Sequence, residues 1–250
     1  MAKKSASKSK RQLIREQRAK KHQRQRLLMI LAVVVVALVI AAVLIGPSLR
    51  SSLVPVGEIV EIEPHERPFV DGRAMGLADA PVLVEVWEDF QCPACKTFSE
   101  SVEPLIAETY VANGDVRYVF RHFPFIDGQS ATKESQNSAN ASMCASEQER
   151  FWDYHDMLFA NWDGENRGSF NDKRLIAFAE TLDLDMVAFT DCFDDNTYKT
   201  DIDADKNNGV QIGVTGTPSV FVNGQVLTPG FVPSFQEVSA AIDAELAALQ

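Results

Sequence analysis

The residues best placed to do chemistry are Cys92 and Cys95, which enclose Pro93 and Ala94. An apolar, β-rich run, Val82-Leu83-Val84-Glu85-Val86-Trp87, precedes them, and a helix-patterned stretch from Lys96 to Ala112 follows. The pair therefore falls where a strand hands over to a helix N-terminus. Pro93 suits the first helical position, at which a missing N–H costs nothing. Cys92 then sits at or near the N-cap, close to unpaired backbone N–H groups and the positive end of the helix dipole. Both stabilise a thiolate, the reactive form of cysteine. Cys95 lies one turn on, within reach of a small disulfide with Cys92. The chemistry implied is dithiol–disulfide exchange, in which Cys92 attacks and Cys95 resolves.

Two plainer readings compete. A CxxC pair is also half of a zinc site, but a structural zinc needs two more Cys or His at ligand spacing. Cys144 and Cys192 stand alone, and His22, His65, His122 and His155 are scattered. A purely structural disulfide across so short a loop would remove little entropy from the unfolded chain.

The elements around the pair follow from periodicity. Phe98, Val102, Leu105, Ile106 and Tyr110 recur on one helical face, and Pro104 inside the segment should kink it. Asn113-Gly114 ends it, and Val116 to Phe120 reads as a second strand, so that strand, helix and strand imply parallel pairing. From about Asp127 to Asn208 the pattern is helical, with packed helices over Ser135–Trp162 and Arg174–Leu182, too long a span for a loop. Strand character returns at Ser219-Val220-Phe221-Val222, turns at Asn223-Gly224 and continues through Leu227, the strongest local hairpin signal. Ser234 and Glu237 form a capping-box pattern that opens a closing helix. The expected fold class is α/β, a thioredoxin-like layout with an inserted helical subdomain at about residues 127–208.

Charge divides the 250 residues sharply. Residues 1–26 hold eleven Lys/Arg and one Glu, a net of +10 in a chain of net −11, which leaves −21 for residues 27–250. Between these regions Leu27–Ile45 is a 19-residue run without a charge, close to the roughly 20 residues that cross a bilayer core. It exceeds a signal-peptide core, and no clean A-x-A site follows, so we expect an uncleaved signal anchor, with cleavage as the alternative. The basic flank keeps the N-terminus in the cytoplasm and sends residues from about 50 onward across the membrane. The acidic exported part argues against nucleic-acid binding. The expected organisation is a basic cytoplasmic tail (1–26), a transmembrane anchor (27–45), a linker (46–75) with a short strand at Ile59–Ile62, and one domain (76–250).

Export gives the cysteines a second meaning, because disulfides persist outside the cytoplasm. Four cysteines allow three connectivities. One close pair and one distant pair make Cys92–Cys95 plus Cys144–Cys192 the economical choice, the first catalytic and the second structural.

Four segments in order, "PVLVEVWEDFQCPACKTF", "VRYVFRHFPF", "CASEQERFWDYHDMLF" and "GVTGTPSVFVNG", resemble the membrane-anchored DsbA-like thiol–disulfide oxidoreductases of bacteria over roughly residues 70–249. The resemblance implies that Cys92 is the nucleophile and Cys95 its partner. It also implies that Thr217-Pro218 supplies a cis-proline facing the disulfide, where free backbone groups meet an extended substrate. Implied partners are exported cysteine-containing proteins and a quinone-linked membrane oxidase, DsbB-like or VKOR-like, that reoxidises the pair. No bound cofactor is required, since the dithiol is the redox centre, and no metal ligand set is read from the sequence.

Two positions depart from the family pattern. The central dipeptide is Pro93-Ala94 where the best-known oxidases have Pro-His, and these residues influence thiolate stability. The residue six before the first Cys is often Glu in the family; here it is Val86, and Glu85 or Asp89 is the substitute carboxylate to consider, against an edge charge and a turn residue. His122 and His155 read as packing residues beside aromatics. Asp163, Glu165, Asp194, Asp195, Asp201, Asp203 and Asp205 read as a solvated acidic face, since the last three lack the Gly and Glu of a calcium loop. The functional expectation is an extracytoplasmic oxidase that introduces disulfides. Its rivals are an envelope reductase or isomerase and a tethered chaperone or Cu(I)-binding module.

Overall fold

The structure, a computed structural model, describes residues 23–24, 26–39, 55–63, 65, 67–128, 130–227 and 231–249. The chain divides into two units, Met1–Pro55 and Val56–Gln250. In the first, residues 26–39 are helical, and Leu27 to Val39 leave their large apolar side chains exposed. Among the described residues no helix is long and apolar enough to cross a membrane. The basic tail as far as residue 22, and residues 40–45 of the expected anchor, lie outside the described residues.

The second unit is built on a five-stranded sheet of order β1-β3-β2-β4-β5, from β1 (Ala74–Met75), β2 (Val82–Glu88), β3 (Val116–His122), β4 (Ser219–Val222) and β5 (Gln225–Val226). Only β2 and β3 run parallel, with Val82 opposite Val116 and Glu88 opposite His122; the other pairs are antiparallel. β2 is central, and its alternation sorts its side chains. Val82, Val84, Val86 and Glu88 are buried on one face, and the three valines join the main core. Trp87 points the other way, into a small cluster with Phe123, Val214 and Phe221. The indole packs against Gly209, where a Cβ would stand 2.7 Å from the ring, so only glycine lets that helix approach so closely. Asn223 and Gly224 both take positive φ at the β4–β5 turn, as a two-residue hairpin requires.

Between β2 and β3 the chain is helical but broken. α1 (Pro93–Ser101) stops at Val102, and α2 (Glu103–Ile106) restarts with Pro104 in its first turn and runs into a π-helical turn, Ala107–Val111. A proline can restart a helix but cannot donate within one. Five helices separate β3 from β4: α3 (Glu134–Ser146), α4 (Phe151–Ala160), α5 (Asp172–Thr181), α6 (Met186–Asp194) and α7 (Lys199–Gln211). The Cys144–Cys192 disulfide joins α3 to α6. Asn140 reinforces it, donating to the Phe193 carbonyl and accepting from the Tyr198 N–H. α8 (Phe235–Ala248) closes the unit and opens with a capping box formed by Ser234 and Glu237.

Two expectations for the segment before β1 are corrected. Ile59–Ile62 form no strand. Val60 instead gives both its N–H and its carbonyl to the side-chain amide of Asn161, at 2.8 and 2.9 Å, so a side chain takes the place of a neighbouring strand. Nor are residues 56–75 a free linker. Arg174 donates to the carbonyls of Val56 and Glu58, Arg67 is buried in ion pairs with Glu103 and Asp156, and Ala74–Met75 pair with β3.

Candidate active site

Cys92 is the N-cap of α1, in extended conformation (φ −82°, ψ 121°), with Pro93 in the first turn. Its own side chain makes no cap bond, and the N–H groups of Ala94 and Cys95 favour a charge on the sulfur. The turn before it is held by two carboxylates. Asp89 accepts from the N–H groups of Gln91, Phe125 and Ile126. Asp127 accepts from the N–H groups of Ser135 and Gln136 and from the Gln91 amide. This cage fixes the end of β2 against the start of α3 and aims Cys92 outward.

The two sulfurs sit in different environments. Cys92 keeps 6 % of its surface exposed and Cys95 none, and both are free thiols in this structure. The Cys92 thiol is pulled from 9.0 down to about 6, first by the hydrogen bond from the Cys95 thiol. Burial opposes this, while the Thr217 side chain and the N–H groups of Cys95 and Ala94 assist. Burial pushes Cys95 well above the ordinary thiol range, and its bond to Cys92 and the Glu88 charge add to that. One sulfur is thus prepared as a thiolate and the other is held as a thiol. The Thr217–Pro218 peptide is cis, and the Thr217 carbonyl oxygen stands 3.3 Å from Cys92 Sγ. That strand end therefore borders the attacking sulfur.

The carboxylates proposed from the sequence are placed elsewhere. Glu85 is ion-paired with Arg121 at 2.6 Å, and Asp89 uses both oxygens on backbone N–H groups. The acid beside the dithiol is Glu88. It is buried, and its carboxyl is pushed well up by burial first, then by the Glu103 and Cys92 charges, with the Cys95 thiol and Tyr118 hydroxyl drawing it back. Neither of those last contacts is a well-formed hydrogen bond. A signal for it existed, since Glu88 continues the inward row of Val82, Val84 and Val86 and ends it at the CxxC turn. Asp205 likewise leaves the expected acidic face. It is buried, pairs with Arg73 and Arg121, and accepts the His122 N–H. Asp163, Glu165, Asp194, Asp195 and Asp201 are exposed. His122 packs among Phe90, Phe120 and Phe151, and burial holds its ring well below the ordinary histidine range. His155 is enclosed by aromatic rings, but it also faces two acids, Glu103 and Asp156.

A strand, a CxxC turn, a helix and a cis-proline beside the first sulfur now stand together. A family model described as thioredoxin matches residues 70–244. The chain belongs to the thioredoxin family. Within it, this is a DsbA-like thiol–disulfide oxidoreductase. A probable disulfide bond formation protein D of Bacillus cereus is 28% identical over 176 residues, which is 70% of this chain and 78% of that one. The oxidised form of BdbD from Bacillus subtilis superposes with a TM-score of 0.63 at 24% identity, covering 76% of this chain and all of that one, a likeness of fold. The Na(+)/H(+) antiporter NhaA 3 of Salinispora tropica is 36% identical over 150 residues, 60% of this chain but only 21% of the antiporter.

Proposed function

We propose that this oxidoreductase works as a thiol oxidase, introducing disulfides into exported proteins from outside the cytoplasm. The observation that carries the reading is the split between a Cys92 thiol brought down to about 6 and a fully buried Cys95. Stabilising the reduced Cys92 thiolate favours the dithiol over the disulfide and so makes the disulfide a stronger oxidant. In the forward reaction a substrate thiolate attacks Cys92 Sγ of the Cys92–Cys95 disulfide, and Cys95 leaves as a thiolate that takes up a proton. A second substrate thiolate then attacks the substrate sulfur of the mixed disulfide and expels Cys92 as a thiolate. The substrate loses two electrons and two protons; the protein takes both electrons and one proton, ending as a Cys92 thiolate and a Cys95 thiol, and the other proton goes to solvent. A cysteine peptide in extended form fits beside Thr217 and Pro218, where backbone groups meet a strand.

The setting forms part of the same proposal. The charge-free run Leu27–Ile45 behind eleven basic residues supports a single-pass membrane anchor with a cytoplasmic N-terminus. A quinone-linked membrane oxidase, DsbB-like or VKOR-like, would reoxidise the dithiol. The test is the reduction potential of the full chain in glutathione buffers, read with its steady-state redox form in membranes. A potential well above the glutathione couple and an oxidised resting state support the oxidase. A thioredoxin-like potential with a reduced resting state assigns the opposite direction, and the absence of a reversible couple leaves a binding module. Protease protection of residues 56–250 in sealed membrane vesicles tests the topology.

A further inference from the structure

Behind Cys95 the core contains a cluster of polar atoms that the exchange reaction does not use. Glu88, Glu103 and His155 bring one ligand atom each within 4.8 Å of one another, and all three are buried. Both Glu88 oxygens, Glu103 Oε2, His155 Nε2 and the Tyr118 hydroxyl are buried without a hydrogen-bond partner among the described residues. Each of these atoms can offer a lone pair, and the Tyr118 hydroxyl can donate as well. Burying so many lone pairs is costly unless something positive binds them.

From this geometry we infer that Glu88, Glu103 and His155 form a binding site for a divalent transition-metal ion. The remaining atoms of Glu103 and His155 are already engaged, so the free ones are aimed at a common point. Arg67 donates to Glu103 Oε1 at 2.8 Å and to both oxygens of Asp156, leaving Glu103 Oε2 turned to the cluster. Asp156 lies 2.8 Å from His155 Nδ1, which engages Nδ1 and leaves Nε2 turned toward the cluster. That is the carboxylate–histidine support expected of a metal-binding imidazole. Glu103 Oε2 and His155 Nε2 stand 3.6 Å apart, too far for a good hydrogen bond but near the about 3.4 Å between two tetrahedral ligands of one zinc ion. Phe90, Phe120 and Phe159 wall the imidazole and fix its plane. One nitrogen and two carboxylate ligands suit zinc or a neighbouring transition ion better than calcium or magnesium, which prefer all-oxygen shells. Binding displaces whatever protons the ligands carry.

The test uses the full chain, stripped with a chelator and oxidised so that Cys92 and Cys95 are tied up and cannot bind metal themselves. It is equilibrated with zinc chloride, desalted and analysed by elemental mass spectrometry. We expect one zinc per chain, retained in a Cys92→Ser, Cys95→Ser chain and lost in His155→Gln. Asp156→Asn, which removes no ligand but weakens the bond to His155 Nδ1 and the ion pair with Arg67, should weaken zinc affinity roughly 10–100-fold. Cobalt(II) absorption of the unmodified oxidised chain needs no variant, so it decides the matter even if a substitution prevents folding: ligand-field bands support the site. An oxidised chain that retains no zinc and shows no cobalt bands overturns the proposal. Zinc uptake that requires the two active-site thiols, or that survives His155→Gln, overturns it as well.

Discussion

The chain uses two cysteine pairs in opposite ways. Cys144 and Cys192 are bonded to each other across two helices and surrounded by core. Cys92 and Cys95 are free thiols at one helix N-terminus, and both are buried. The element is the same, so the environment makes the difference. The first pair is closed as a disulfide, with both sulfurs committed to one bond. In the second, the hydrogen bond from one thiol and the helix N–H groups favour a charge on Cys92, while burial denies it to Cys95. A disulfide becomes an oxidant when one of its products is stabilised as an anion, and the second pair has that asymmetry.

The comparison can be broken most decisively by disabling each pair in turn. Cys92→Ser should abolish catalysed oxidation of a dithiol peptide, while Cys95→Ser, left with Cys92 as a lone thiolate, should accumulate mixed disulfides when offered a disulfide-linked peptide instead; turnover by either variant would contradict the division of labour between the two sulfurs. Removing the other pair should leave the chemistry intact and weaken the fold. Cys144→Ala with Cys192→Ala, a bond closing a separation of 48 residues, should lower unfolding free energy by roughly 4 kcal/mol on the chain-entropy model. Denaturant titration reads this, and the reduction potential should not move.

The pH dependence sharpens the contrast further. Cys92 in the folded dithiol form titrates at about 6 rather than 9.0. A depressed thiol stabilises the reduced fold fully above the unfolded value and loses that contribution as pH falls through the folded one. The stability gap between reduced and oxidised protein should therefore shift in favour of the reduced form as pH rises from about 6 to 9.0. Ultraviolet thiolate absorbance should show its midpoint near the lower value. The smallest effect is expected from Thr217→Val. It removes the Thr217 hydroxyl, which helps to lower the Cys92 thiol, and keeps the backbone carbonyl beside the sulfur, so the thiolate midpoint should rise slightly while peptide oxidation continues.

The sequence made the catalytic turn legible because its signals are local. A β-rich run, a proline at the first helical position, Asn-Gly and Ser-x-x-Glu each act within a few residues, and each is realised where it stands. The readings that failed depended on distant partners. Residues 56–75 look like a tether because of their prolines, yet Asn161, Arg174, Glu103 and Asp156 hold them, and these partners lie in the helical segments. Asp205 reads as part of an acidic surface until Arg73 and Arg121 are brought beside it. Glu88 was the avoidable omission, since strand alternation alone directs it inward. Its companions Glu103 and His155 share no spacing with it, and only the packing of α2 and α4 behind β2 assembles the three.

The clasp between Val60 and Asn161 has a mechanical side. The N-terminal end of this unit is fastened to the ends of α4 and α5 and not to the sheet. Tension on the chain ahead of residue 56 would load two amide hydrogen bonds and the Arg174 guanidinium first. Those contacts would give way one after another while β2, bonded along both edges, kept its register. The strand that presents Cys92 is thereby insulated from a pull on the segment before it.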